Sequence, residues 1–146
     1  MANETTITRS SYEVCSASAA MGTGAYSTGS RTAIASITGI TGTAKDYPQL
    51  DFQLNITGET ILTGEVVNLY RIASDGTAAE LAPTSTYAGH YVGSFILDVA
   101  TVTTGTAYLY GVENIDQNDT FIWENGSAAT LTASLEVRTR ALVPGA

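Results

Sequence analysis

The chain reads as an all-β protein, an antiparallel β-sandwich of jelly-roll-like or Greek-key winding with an extended N-terminal arm. Three observations predict this. Thr and Gly are plentiful while Lys occurs once, and no stretch is rich in the residues that favour helices. Two stretches place apolar side chains on every second position, the period of a strand with one face buried. Turn-forming pairs recur about every ten residues, the spacing of short strands in sandwiches and barrels. The 146 residues make one domain's worth of chain, and the 44% that are apolar can supply a continuous core. Within it, residues 1–33 are read as an N-terminal strand and small-residue arm, and residues 34–146 as the sandwich body with a short tail.

From the N-terminus, Thr5 to Arg9 is a weak strand candidate. Cys15 lies among small residues and is expected to be an inert, partly buried thiol. Ser16 to Ser30 has little to bury, so a loop or arm ordered by docking elsewhere is expected there. Ile34 to Ile40 is a second weak strand candidate. In Leu50-Asp51-Phe52-Gln53-Leu54-Asn55-Ile56-Thr57 the alternation is clear, with Leu50, Phe52, Leu54 and Ile56 facing inward. A turn is expected at Thr57-Gly58-Glu59. Glu65 to Ile72, Tyr91 to Ala100 and Thr106 to Val112 are dense in Val, Ile, Leu, Phe and Tyr with blurred alternation, which suits central strands. Ser74-Asp75-Gly76-Thr77 and Thr104-Gly105 read as turns between them. Asn125-Gly126 reads as a hairpin joining Phe121-Ile122-Trp123 to a long strand from Thr130, in which Leu131, Ala133, Leu135 and Val137 face inward. The tail from Arg138 to Ala146 suggests a short strand and then a free terminus.

Charge and residue inventory close off several functions. Fourteen acidic against six basic side chains give a net charge of −8, which argues against a surface that tracks phosphates, so no nucleic-acid partner is expected. No apolar run approaches the length of a membrane span, so no membrane partner is expected. The polar start Met1-Ala2-Asn3-Glu4-Thr5-Thr6 does not resemble a secretory leader, which points to synthesis in the cytoplasm. One His and one Cys cannot complete a zinc site, and no metal or other cofactor is expected. His90 is the only side chain with an ordinary pKa near neutrality, yet no nucleophile elbow accompanies it; the favoured reading is structural, with a hydrolase a distant option. Glu113 to Asp119 gathers oxygen ligands without the spacing of a calcium loop and is read as a solvated turn. Gly22-Thr23-Gly24 and Gly39-Ile40-Thr41-Gly42 lack the strand-to-helix context of a phosphate loop. Tyr70, Tyr87, Tyr91, Tyr108, Tyr110 and Trp123 fit either a core and subunit-contact role, which is favoured, or a sugar-stacking platform. No catalytic residue is assigned.

One ordered set of motifs is familiar. The Leu50 strand is followed by Val66-Val67-Asn68-Leu69-Tyr70-Arg71, the Ser74-Asp75-Gly76-Thr77 turn, Tyr87-Ala88-Gly89-His90-Tyr91-Val92-Gly93-Ser94-Phe95 and Trp123-Glu124-Asn125-Gly126-Ser127. Over the last two-thirds of the chain this order resembles small all-β virion proteins of tailed bacteriophages, some of which are capsid decoration, or cement, proteins. The resemblance implies a non-enzymatic protein on the capsid surface, bound to the major capsid protein and to itself as a dimer or trimer. It transfers no binding residue, because the shared motifs mark folding turns. Two alternatives stay open: a head-fibre, tail or neck component, and a carbohydrate- or receptor-binding β module.

Overall fold

The computed structural model describes residues 5–27, 31–37, 49–61, 64–77, 79, 90–97, 102–113 and 116–144. Its strands are β1 (Thr5–Arg9), β2 (Glu13–Met21), β3 (Gln49–Ile61), β4 (Glu65–Ile72), β5 (His90–Leu97), β6 (Val102–Val112), β7 (Thr120–Asn125) and β8 (Leu131–Pro144). In β3 and β8 the alternation decides the faces. Leu50, Phe52, Leu54 and Ile56 are buried on one side of β3, and Leu131, Ala133, Leu135 and Val137 on the same side of β8, nine residues of each strand lying in register. These two form the middle of a first sheet, sheet A, with β6 beyond β3. β1 and β2 follow one another along the free side of β8, β1 opposite Arg140 to Pro144 and β2 opposite Leu131 to Val137. Sheet B has the order β5-β4-β7. Every pairing between these described strands is antiparallel.

A short fourth member completes sheet B. Residues 24–27 run beside β7: the Gly24 N–H donates to the Asn125 carbonyl, the Asn125 N–H to that of Ala25, and the Ser27 N–H to that of Trp123, with a bridge between Tyr26 and Glu124. The sandwich is then a long hairpin, β3 and β4 against β5 and β6, folded so that β3 pairs β6 in one sheet and β4 pairs β5 in the other. β7 and β8 wind back beside β4 and β3. This is the winding of a jelly roll.

The inner faces meet in one core. Phe52 and Leu54 of sheet A pack with Val67, Leu69, Phe95, Phe121 and Trp123 of sheet B, and the Phe52 and Phe121 rings lie 4.6 Å apart. Ile34 and Ile37 close one end of this core from a 3₁₀ turn at Ile34–Ser36, anchored by the Ile34 N–H on the Asp119 carbonyl and the Ala35 N–H on that of Gln117. Burying a large aliphatic or aromatic side chain contributes about 1.5–3 kcal/mol, so this shared layer holds the sheets together.

Several elements differ from expectation. The stretch read as loop or arm from Ser16 is strand as far as Met21, because small side chains suit an edge that makes register shifts after Val14 and after Ser16. The Ile34 strand candidate is the 3₁₀ turn, and its residues 38–40 lie outside the described ones. Thr57-Gly58-Glu59 and Thr104-Gly105 are not turns: β3 and β6 run through them, and the glycines are absorbed in a long pairing with a register shift after Thr57. β5 and β6 are edge members of their sheets rather than central strands. Their apolar density combines a buried face, Phe95 and Leu97 or Ala107, with exposed side chains such as Ile96, Tyr108 and Tyr110 on the other. The C-terminal stretch stays strand through Pro144.

Asn125-Gly126 joins no hairpin, since β7 and β8 belong to different sheets. The buried Asn125 side chain organises a crossover instead. Its Nδ2 donates to the Met21 and Ala129 carbonyls, and its Oδ1 accepts the N–H and the hydroxyl of Ser127. Gly126 is required there because a Cβ would stand 2.7 Å from the Val66 carbonyl oxygen.

Candidate interaction surface

The same alternation that fills the core sends Asp51, Gln53 and Asn55 of β3 and Glu136, Arg138 and Arg140 of β8 to the outer face of sheet A. Register places Asp51 opposite Arg138 and Gln49 opposite Arg140. On the other side of β3 a bulge in β6 sets Tyr110 and Gly111 against Asp51, between the Leu50–Val112 and Phe52–Leu109 pairs. Gly111 takes a φ of 69°, which favours glycine, and this aims its N–H at Asp51 Oδ1, 3.0 Å away.

Asp51 is therefore fully buried although it sits on the outer face. Its Oδ2 accepts Arg138 Nε at 3.0 Å and its Oδ1 pairs with an Arg140 Nη at 3.1 Å. Three donors satisfy one desolvated carboxylate, the condition under which a buried charge is tolerated. Rings then fix the guanidiniums. Arg138 lies 4.5 Å over the Tyr12 ring and 6.0 Å from Tyr110, and Arg140 lies 5.7 Å from Tyr110. Tyr108 and Tyr110 stack at 5.5 Å with 13° between their planes, and Tyr108 is 6.2 Å from Tyr12. Tyr108 and Tyr110 are 47% and 53% exposed. Burial pushes the Tyr12 phenol up to about 12, with the Arg138 charge acting in the opposite direction, so it stays neutral at physiological pH.

The outer face of sheet B carries a different arrangement. Glu124 accepts Asn68 Nδ2 at 3.0 Å and the Tyr70 hydroxyl at 3.1 Å, while Ser94 donates to Asn68 Oδ1 and shares a 2.7 Å bond with the Tyr91 hydroxyl. Tyr70 meets Tyr26 and Tyr91 edge-on at 5.5 and 5.9 Å. It is buried with Ile72 and Ile122, whereas Tyr91 is 61% exposed. Burial first, and then Glu124, raises the Tyr70 phenol.

The aromatic set singled out in the sequence is thus divided. Trp123 lies in the core, Tyr108 and Tyr110 on one outer face, Tyr70 and Tyr91 on the other, and Tyr87 outside the described residues. No single platform unites them. Cys15 is buried, donates to the Leu135 carbonyl at 3.5 Å and has its thiol pushed up by burial. His90 stands exposed at the start of β5, opposite Arg71. In the acidic turn Asp119 points inward, accepting the Asp116 and Ser74 N–H groups and lying 3.7 Å from Arg71 Nε. Among the described residues no three His, Cys, Asp or Glu side chains converge as metal ligands. Gly22 and Gly24 flank the turn from β2 to the run beside β7, and the Gly39–Gly42 pair lies outside the described residues. Tyr12 and Asp51 went unmarked in the sequence; the polar position within the β3 alternation was the only signal for Asp51, and its arginines lie more than eighty residues away.

No protein-family model matches the chain, and no characterised protein or solved structure matches it.

Proposed function

We propose that this chain is a non-enzymatic virion structural protein, a decoration protein that binds the outside of a tailed-bacteriophage major capsid protein lattice and stabilises it. The observation that carries the reading is the tyrosine–arginine face of sheet A. Exposed Tyr108 and Tyr110 stand beside guanidiniums fixed by a buried carboxylate, the residue types that dominate protein docking surfaces, mounted on paired strands rather than on loops. The motif order from Leu50 to Ser127 supplies the second support, through its resemblance to virion proteins. Self-association as a dimer or trimer belongs to the same reading, since symmetry multiplies modest contacts on a lattice.

Quantitative mass spectrometry of purified virions tests it. A copy number comparable to that of the major capsid protein is expected; a handful of copies, or none, overturns it. A sugar-binding module is the second reading, favoured by the exposed Tyr91 ring above the Ser94–Asn68–Glu124 network. Under that reading Tyr91→Ala abolishes glycan binding with the fold intact.

A further inference from the structure

We propose that the cationic strip at one corner of sheet A, Arg9, Arg138 and Arg140 with Tyr110 beside them, recognises carboxylates, and that its occupant is an acidic segment of the protein on which the chain docks. The occupant rests on the docking reading above; the carboxylate chemistry rests on the strip itself.

Charge is concentrated there against the trend of the molecule. The chain has six basic residues and a net charge of −8, yet three of the six lie on two neighbouring positions of one sheet face. Arg9 of β1 pairs directly with Arg140 of β8, which puts two like charges on the same face in opposition. Such pairs destabilise a sheet, so the arrangement calls for an anion. Among the described residues only Asp51 answers it, with Arg138 and Arg140, while exposed Arg9 makes no ion pair. The other carboxylates of this face, Glu136 two residues before Arg138 and Glu113 hydrogen-bonded to Gln49, close no ion pair with an arginine among the described residues. Arg138 and Arg140 thus share Asp51, and Arg9, the cross-strand partner of Arg140, is the guanidinium of the strip left outside an ion pair among the described residues.

Geometry favours a carboxylate over a diffuse polyanion. Asp51 takes Nε of Arg138 and one Nη of Arg140, so each fork keeps donors that Asp51 does not occupy, and the rings of Tyr12 and Tyr110 hold the planes. Fixed planar forks suit bidentate carboxylate recognition and lose little entropy on binding. A phosphate-tracking surface needs an extended run of cations, and the net charge of −8 repels a long polyanion. A short pair of Asp or Glu side chains, flanked by apolar contact with Tyr108 and Tyr110, fits the strip.

The test uses the purified full chain and fluorescein-labelled hexaglutamate, read by fluorescence anisotropy, with hexaglutamine and hexalysine as controls and polygalacturonate as a sugar-borne carboxylate. Hexaglutamate alone among the peptides is expected to bind, and its affinity is expected to fall with added salt. Arg9→Gln, which relieves the like-charge pair with Arg140, should weaken binding about three- to fivefold with the melting temperature kept or slightly raised, and Arg140→Lys should weaken binding although charge is kept. Hexaglutamate binding no better than hexaglutamine, or binding indifferent to Arg9→Gln and Arg140→Lys, overturns the proposal. So does binding of polygalacturonate without hexaglutamate, which would assign the strip to an acidic glycan. A chain abundant in virions whose strip ignores hexaglutamate would refute this inference and leave the decoration reading; hexaglutamate binding by a chain absent from virions would do the reverse.

Discussion

The two outer faces of the sandwich use tyrosine in opposite ways. On sheet A the rings of Tyr12 and Tyr110 lie against guanidiniums, and a buried carboxylate holds the cations in place. On sheet B the hydroxyls of Tyr70 and Tyr91 join a chain of amide, hydroxyl and carboxylate groups, and among the described residues no cation takes part in its bonds. The first is an electrostatic assembly with its aromatic area turned outward. The second is a hydrogen-bonded one with Tyr70 turned into a small apolar cluster. A residue type therefore says little about its task until the neighbours across the strands are known.

Removing the carboxylate bonded within the tyrosine assembly of each face, Asp51 on one and Glu124 on the other, is the hardest test of this contrast. Asp51→Asn leaves two arginines without their shared partner and should lower stability by about 3 kcal/mol in chemical denaturation. Glu124→Gln keeps an acceptor for Asn68 and Tyr70 and should lower it by about 1 kcal/mol. Equal losses would erase the distinction between the faces. Next in size is Gly126→Ala, expected to lose about 1–3 kcal/mol from overpacking on Val66, whereas Gly22→Ala, with nothing within 4 Å of its Cβ, should stay within about 0.5 kcal/mol. Tyr110→Ala removes an exposed ring beside Arg138 and Arg140 and should lower stability by about 0.5–1 kcal/mol, less than any core truncation.

The smallest effect at neutral pH is the most discriminating at high pH. Burial raises Tyr12 from 10.0 to about 12 in the folded chain, and burial with Glu124 raises Tyr70 further. Between the unfolded and folded values the folded state holds protons that the unfolded state has released, so stability falls as pH rises through this window. Stability should be insensitive to these phenols below pH about 10 and decline from there towards 12, and Tyr12→Phe should reduce the decline. A spectrophotometric titration should show Tyr12 ionising before Tyr70, because a cation neighbours one and an anion the other. The reverse order would break the comparison.

How much of this was legible in the sequence depends on the distance over which it is specified. The β3 and β8 faces were readable because period-two burial is local, and β4 was read to its ends as Glu65–Ile72. Sheet membership was not. Asn125-Gly126 has hairpin chemistry, but the contacts that turn it into a crossover come from Met21 and Val66. β5 and β6 looked central because Ile96, Tyr108 and Tyr110 add apolar weight to strands buried on one face only. For the candidate surface, the polar face of β3 and the outward direction of Arg138 were both readable, yet their meeting depends on register between segments 87 residues apart. Asp51 thus passed for a solvent-facing residue.

β8 is the last of the eight described strands to leave the ribosome, and among the described strands β1 and β2 pair with it alone. Thr5 meets Pro144. The places of β1 and β2 in sheet A therefore stay open through the synthesis of β3 to β7, and the sheet closes only as β8 emerges between them and β3. Such dependence on distant contacts slows folding, and it leaves nascent strand edges open to neighbouring chains until the seam is shut.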